Sequence, residues 1–110
     1  MSEALVIMCT CPDEKTAVQL ARGLVAERLV ACVNVLPGIR SIYRWQEDIE
    51  DDKEVLMIIK STVRGMSEVE DWLVSHHPYE VPEVVVLPAS HVAPDYLEWL
   101  TAQVADPLEN

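Results

Sequence analysis

Short apolar runs alternate with amphipathic segments along nearly the whole chain, and their order is the feature that most limits its possible folds. The predicted strands are residues 4–10, 30–46 (interrupted at Pro37-Gly38), 55–61 and 84–87. Segments with helical spacing of apolar residues begin near Pro12, Met66 and Pro94. No linker, repeat or low-complexity segment separates these elements. The order β-α-β-β-α-β-α predicts one ferredoxin-like α/β (α+β) domain over residues 1–110, with an antiparallel sheet and an added C-terminal helix.

Local patterns add finer expectations. The acidic stretch 47–52 predicts a hairpin loop, and the unbroken apolar run 55–59 predicts a strand buried on both faces. Val6 or Ile7, and Ile58 or Ile59, are expected on the buried face of the sheet. The first helix is expected to open at residues 11–14, with Pro12 near its first position and acidic side chains facing the positive end of the dipole.

Charge and composition exclude several classes of function. Eight basic and 19 acidic residues give a formal net charge of −11, which argues against a nucleic-acid or anionic-membrane partner. No apolar run approaches the roughly 20 residues of a membrane span. The three glycines are isolated, so no phosphate-binding Gly-rich loop is expected, and three cysteines are too few for an ordinary iron–sulfur cluster. No catalytic constellation remains, and the chain is predicted not to be an enzyme.

The cellular compartment is predicted from the start of the chain and from its cysteines. The sequence Met1-Ser2-Glu3 lacks the positive region of a signal peptide. Three cysteines are an odd number, which favours reduced thiols. A cytoplasmic protein is therefore expected.

Cys9 and Cys11 are the first candidate metal ligands. They follow the first apolar run in a C-x-C spacing, which on an extended strand puts both side chains on one side, about 6.5 Å apart. Thiolates so placed could bind a soft ion such as Cu(I). A small buried cysteine is the alternative reading for Cys9, and Cys32, within a strand, is expected to be a core residue.

His76 and His77 are the second candidates, at the predicted end of the second helix. Adjacent histidines project differently from a helix and rarely share one ion. Interaction with the helix dipole and the terminal carbonyls also explains histidine at such a position. Glu80 and Glu83 lie close enough in sequence to complete a mixed site.

Several strings, taken together and in order from about Leu5 to Val104, resemble the CutA divalent-cation tolerance family. They are Ala31-Cys32-Val33-Asn34, Pro37-Gly38, Ser41-Ile42-Tyr43-Arg44-Trp45, Glu54, Lys60-Ser61-Thr62, His76-His77-Pro78-Tyr79, Pro82-Glu83 and Tyr96-Leu97-Glu98-Trp99-Leu100. One departure is Glu47, where the family commonly carries glycine.

The resemblance implies a homotrimer of ferredoxin-like subunits without enzymatic activity, linked to tolerance of copper and other divalent cations such as zinc. It assigns copper binding to Cys9, His76 and His77. In one subunit these positions are expected at opposite ends of the sheet, about 17–20 Å apart, so that a shared ion needs ligands from different subunits. A similarity to PII-type proteins implies the alternative of a trimeric signalling or scaffold protein. Its effector would bind in clefts between subunits near Tyr43, Trp45 and Glu54.

Overall fold

The computed structural model describes residues 2–106, and its elements follow the predicted order. They are β1 (Ala4–Cys11), α1 (Glu14–Ala26), β2 (Cys32–Trp45), β3 (Asp48–Thr62), a 3-10 turn (Val63–Gly65), α2 (Met66–His76), β4 (Val85–Pro88) and α3 (Pro94–Gln103). The strands form one sheet in the order β2-β3-β1-β4, and each neighbouring pair is antiparallel. The ferredoxin-like α+β prediction is confirmed. The predicted domain, 1–110, also includes Met1 and residues 107–110, which lie outside the described part.

The core lies between one face of the sheet and the helices α1 and α2. Ile7 and Ile59 are opposite each other on β1 and β3, and both are fully buried. Leu24 of α1 and Leu73 of α2 pack in the same cluster. The predicted inward positions are therefore confirmed as Ile7 and Ile59, because strand alternation turns Val6 and Ile58 to the other face.

The second face of the sheet is largely uncovered, so the prediction that residues 55–59 are buried on both faces is wrong for the single chain. Both crossover helices pack on one side, as right-handed connections require. Helix α3 reaches only one end of the sheet, where Leu100 packs with Ala4 and Ala31. The uncovered face is here called the open face. Its apolar residues, all half-buried or exposed, include Val6, Met8, Leu36, Leu56, Ile58, Val85 and Leu87.

β2 and β3 run beyond the end of β1 and form a two-stranded arm of residues 39–45 and 48–54. The prediction of an acidic hairpin loop over 47–52 is therefore wrong, since only Gln46 and Glu47 form the turn. Residues 48–52 stay in the strand because they pair with β2, which also supplies side-chain partners for Asp51 and Asp52. Arg40 forms an ion pair with Asp51 at 2.7 Å.

Two local backbone features of this hairpin depend on particular residues. The register shifts between Leu36 and Ile39, as the Pro37-Gly38 pair predicts, and Gly38 has a φ of +83°. At the turn, Gln46 takes the left-handed conformation with φ 57°. Glu47, where the family commonly has glycine, does not need positive φ, so its side chain is tolerated there.

The first helix begins two residues later than predicted. Asp13 is its N-cap and accepts a 2.7 Å hydrogen bond from the Thr16 N–H, so Pro12 lies before the cap rather than in the first turn. Pro94 does occupy the first turn of α3. Within residues 2–106 no helix has both the length and the apolar character of a membrane span.

Candidate functional site

The C-terminal ends of β1 and α2 meet at the same end of the sheet, so the expectation that they lie at opposite ends is wrong. β3 runs antiparallel to β1, so α2 begins near the start of β1 and runs back toward its C-terminal end. His77 Nε2 lies 2.8 Å from the Thr10 carbonyl oxygen and 3.8 Å from Cys11 Sγ. The histidine that follows α2 therefore contacts the end of β1 within a single chain.

Cys9 and Cys11 are fully buried on the helix-covered face of β1. Interaction with the neighbouring Cys11 thiol, together with burial, raises the pKa of Cys9, and the same interaction lowers the pKa of Cys11. Cys9, Cys11 and His77 are called the thiol–imidazole cluster below. The resemblance named Cys9 and not Cys11, but the C-x-C spacing was the sequence signal for both.

His77 uses both ring nitrogens inside the protein and is only 8% exposed. The Tyr79 N–H donates to Nδ1 at 3.1 Å, so the ring proton lies on Nε2, which donates to the Thr10 carbonyl. The ring thus ties the end of α2 to the end of β1. A metal ion bound at Nε2 would displace the bond to Thr10 and leave the ring proton on Nδ1, so the bond from Tyr79 would be lost as well.

His76 lies in a different environment, as adjacency on a helix predicts. Its exposed ring stacks on Trp72 with centroids 3.9 Å apart, and its Nδ1 lies 2.8 Å from the Trp72 carbonyl oxygen. The Trp72 indole is close to α1 because residue 23 is glycine, where a Cβ would come within 2.6 Å of Trp72 Cζ2. Among residues 2–106, no three His, Cys, Asp or Glu side chains are grouped so as to hold one ion.

A cleft of about 810 Å³, here called the acidic cleft, lies among the arm, the end of β1 and the segment after α2. It is lined by Thr10, Ser41, Ile42, Tyr43, Trp45, Glu50, Glu54, Pro78, Tyr79, Glu80, Val81 and Glu83. Four glutamates and three aromatic residues are in this lining, and among residues 2–106 no lysine, arginine or histidine contributes to it. Tyr43, Trp45 and Glu54, the residues expected near an effector, are thus brought together on one chain.

Glu54 is the buried charge of this cleft, at 8% exposure. The Tyr79 hydroxyl donates to Glu54 Oε2 at 2.7 Å, and burial together with this bond raises the pKa of Tyr79. Every ion pair within residues 2–106 involves Arg40 or Arg64, so Glu54 has no cationic partner there. Sequence reasoning placed Glu54 here but missed Tyr79, because the contact joins positions 25 residues apart.

The arm holds one tyrosine whose ionisation can be followed directly. The Tyr43 hydroxyl donates to Asp52 Oδ2 at 2.6 Å, which raises the pKa of Tyr43 to about 12 from the ordinary 10.0. Because the folded pKa is the higher one, the stabilisation is present below pH 10 and is lost as pH rises through about 12. In an absorbance titration, we expect Asp52→Ala to lower the pKa of one tyrosine toward 10. Asp51→Ala, which breaks the ion pair with Arg40, should leave that pKa unchanged. An unchanged titration of Asp52→Ala contradicts this assignment.

Comparisons with known proteins agree with this architecture. The family model for "CutA1 divalent ion tolerance protein" matches residues 5–103. The chain is 49% identical over 102 residues to the divalent-cation tolerance protein CutA of Salmonella newport strain SL254, covering 93% of this chain and 89% of that protein.

Solved structures give the same result. The divalent cation tolerance protein Cut A1 from Thermus thermophilus superposes with a TM-score of 0.90 at 40% identity, covering 93% of this chain and 99% of that one. The periplasmic divalent cation tolerance protein CutA from Archaeoglobus fulgidus has a TM-score of 0.89 at 30% identity, covering 93% and 99%. The chain therefore belongs to the CutA1 divalent ion tolerance protein family.

Proposed function

We propose that this chain forms a non-catalytic homotrimer that responds to divalent metal ions by binding copper at the thiol–imidazole cluster. The observation that carries the proposal is the 3.8 Å contact between Cys11 Sγ and His77 Nε2, with Cys9 on the same face of β1. Thiolate and imidazole are ligands for copper and zinc rather than for magnesium or calcium, and such sites generally bind Cu(II) more tightly than Zn(II). His76, the remaining ligand implied by the resemblance, would have to leave its stack on Trp72 to join this set.

Copper binding at this cluster requires a local rearrangement, because no three His, Cys, Asp or Glu side chains among residues 2–106 are grouped so as to hold one ion as they stand. Both thiols are buried, and His77 Nε2 is held by the Thr10 carbonyl. An entering ion has to displace that hydrogen bond and the thiol protons, so binding releases protons. The end of α2 would then move when metal binds, and the shape of the neighbouring surface would change.

Copper titration of the full chain tests this proposal. We expect saturable copper binding that is tighter than zinc binding, and at least about tenfold weaker in Cys9→Ser and in Cys11→Ser. Cys32→Ser is the matched control, since Cys32 lies on β2 outside the cluster. Circular dichroism verifies that each variant is folded. Parental affinity in folded Cys9→Ser and Cys11→Ser chains would show that the cluster is not the copper site.

The open face supports self-association. The apolar side chains of this face are otherwise exposed to water on a chain with a net charge of −11. β4 and the arm also leave unpaired strand edges. Cyclic closure covers both features in every subunit. The number three comes from the family resemblance. Light scattering should therefore give about 37 kDa, three times the 12.4 kDa chain.

A signalling or scaffold protein is the second candidate function. It is favoured by the acidic cleft, in which Glu54 is buried without a cationic partner among residues 2–106. In this alternative an effector binds the cleft and the link to metal ions is indirect. Removing the cysteines would then leave effector binding unchanged, which separates the two candidates.

We propose the cytoplasm as the compartment. Cys9, Cys11 and Cys32 are all unpaired, as a reducing environment favours. The Archaeoglobus fulgidus relative is described as periplasmic. Cell fractionation with an antibody to the chain decides between the two compartments.

A further inference from the structure

We infer that the acidic cleft binds a small organic cation, one that carries an ammonium or guanidinium group on an apolar body. The inference rests on the effector-binding candidate above and does not depend on copper. Its starting point is the conjunction of a buried carboxylate, aromatic walls and a cavity of ligand size at the base of the arm.

The unpaired charge of Glu54 is the first step. Burying a carboxylate costs free energy unless a positive group or several hydrogen bonds compensate for it. Tyr79 supplies one hydrogen bond, to Oε2. Every fully buried side-chain nitrogen or oxygen in residues 2–106 has a partner, so Oε1, which has none there, keeps access to the cleft. A cationic group in the cleft would pair with Oε1 and compensate the negative charge of this carboxylate.

The walls of the cleft indicate the shape of the cation. Tyr43, Trp45 and Tyr79 all line it, and aromatic faces attract ammonium and guanidinium groups. Ile42 and Val81 add apolar surface for the rest of a molecule. A volume of about 810 Å³ lies within the range of small-molecule sites.

The same lining argues against other ligand classes. In the described part of one chain, an anion such as a nucleotide would meet four glutamates and no basic side chain. A bare metal ion needs several oxygen ligands within about 2–2.6 Å, and no three acidic, His or Cys side chains among residues 2–106 are grouped for that. Carboxylates spread around a cleft instead suit a cation with an extended body.

Calorimetry on the full chain tests the inference with agmatine and spermidine as probes, at physiological salt. Saturable binding of at least one probe is expected. Magnesium chloride, added at the same concentration of positive charge, should not give a saturable binding isotherm. Glu54→Gln keeps an acceptor for Tyr79 and should weaken binding at least about tenfold. Glu70→Gln, an exposed position on α2, removes the same charge outside the cleft and should leave binding unchanged.

A second pair of variants tests the aromatic wall. Trp45→Leu should weaken binding about three- to tenfold, whereas Trp99→Leu, which removes an indole from α3, should not. Equal binding by Glu54→Gln and Glu70→Gln, or no saturable binding by the parent, would overturn the inference. Binding that survives Cys9→Ser supports it, even if copper binding fails, so the two proposals are judged separately.

Discussion

Replacement of His77 by alanine is expected to lower the free energy of unfolding by about 2–4 kcal/mol. The ring fills buried space, accepts a hydrogen bond from the Tyr79 N–H and donates one to the Thr10 carbonyl. Alanine removes both hydrogen bonds and leaves a cavity where the end of α2 meets the end of β1. Urea unfolding at one fixed protein concentration measures the change.

His76→Ala is the matched control, because it deletes the same side chain one residue earlier on an exposed surface. It removes the stack on Trp72 and should cost less than about 1 kcal/mol. His77→Gln should recover part of the loss, since its amide can donate toward Thr10. Equal stability of the two alanine variants would contradict the structural role of His77. Because His77 has this role, copper assays depend on the cysteine variants rather than on its removal.

Most of the fold could be predicted because local sequence and tertiary packing agree. Ile7 and Ile59 belong to apolar runs of strand length, and strand alternation then decides which of each pair points inward. Pro94 is in the first turn of its helix for a local reason, its missing N–H. Asp13 shows the limit of such reasoning, since a capping hydrogen bond to Thr16 moved the helix start past Pro12.

The arm could not be predicted because its stability comes from contacts across strands. Five of the six residues 47–52 are acidic, which in isolation favours a solvated loop. Arg40 and Tyr43 on β2 supply partners for Asp51 and Asp52, and so the ladder continues to Trp45 and Asp48. No local pattern contains that information.

Of the three predicted metal ligands, Cys9 and His77 lie at the same end of the sheet, whereas His76 lies apart on Trp72. From the sequence, Cys9 and His77 are expected at opposite ends of the sheet. Because β3 is antiparallel to β1, α2 ends beside the C-terminal end of β1 instead. Cys11 had a local signal, its spacing from Cys9. Tyr79 had none, since its role depends on a contact with Glu54 across the fold.

Leu87→Lys is expected to dissociate the proposed trimer, lowering the mass in solution from about 37 kDa toward the 12.4 kDa of one chain. Leu87 lies on the open face opposite Val6 and is 46% exposed in the single chain. A lysine there is solvated in a monomer, so the fold of one chain should tolerate it. In an assembly that covers the open face, three ammonium groups would be buried without partners.

Val74→Lys provides the matched comparison, because Val74 is 54% exposed on α2, on the other side of the sheet. Both variants exchange an exposed apolar side chain for lysine and change the net charge equally, so general repulsion cannot separate them. Sedimentation should give the trimer mass for Val74→Lys and a smaller mass for Leu87→Lys, with unchanged circular dichroism. If both kept the parental mass, the open face would not be the interface. If Leu87→Lys unfolded instead, Val85→Thr, a milder change on the same strand face, should still weaken association at low concentration.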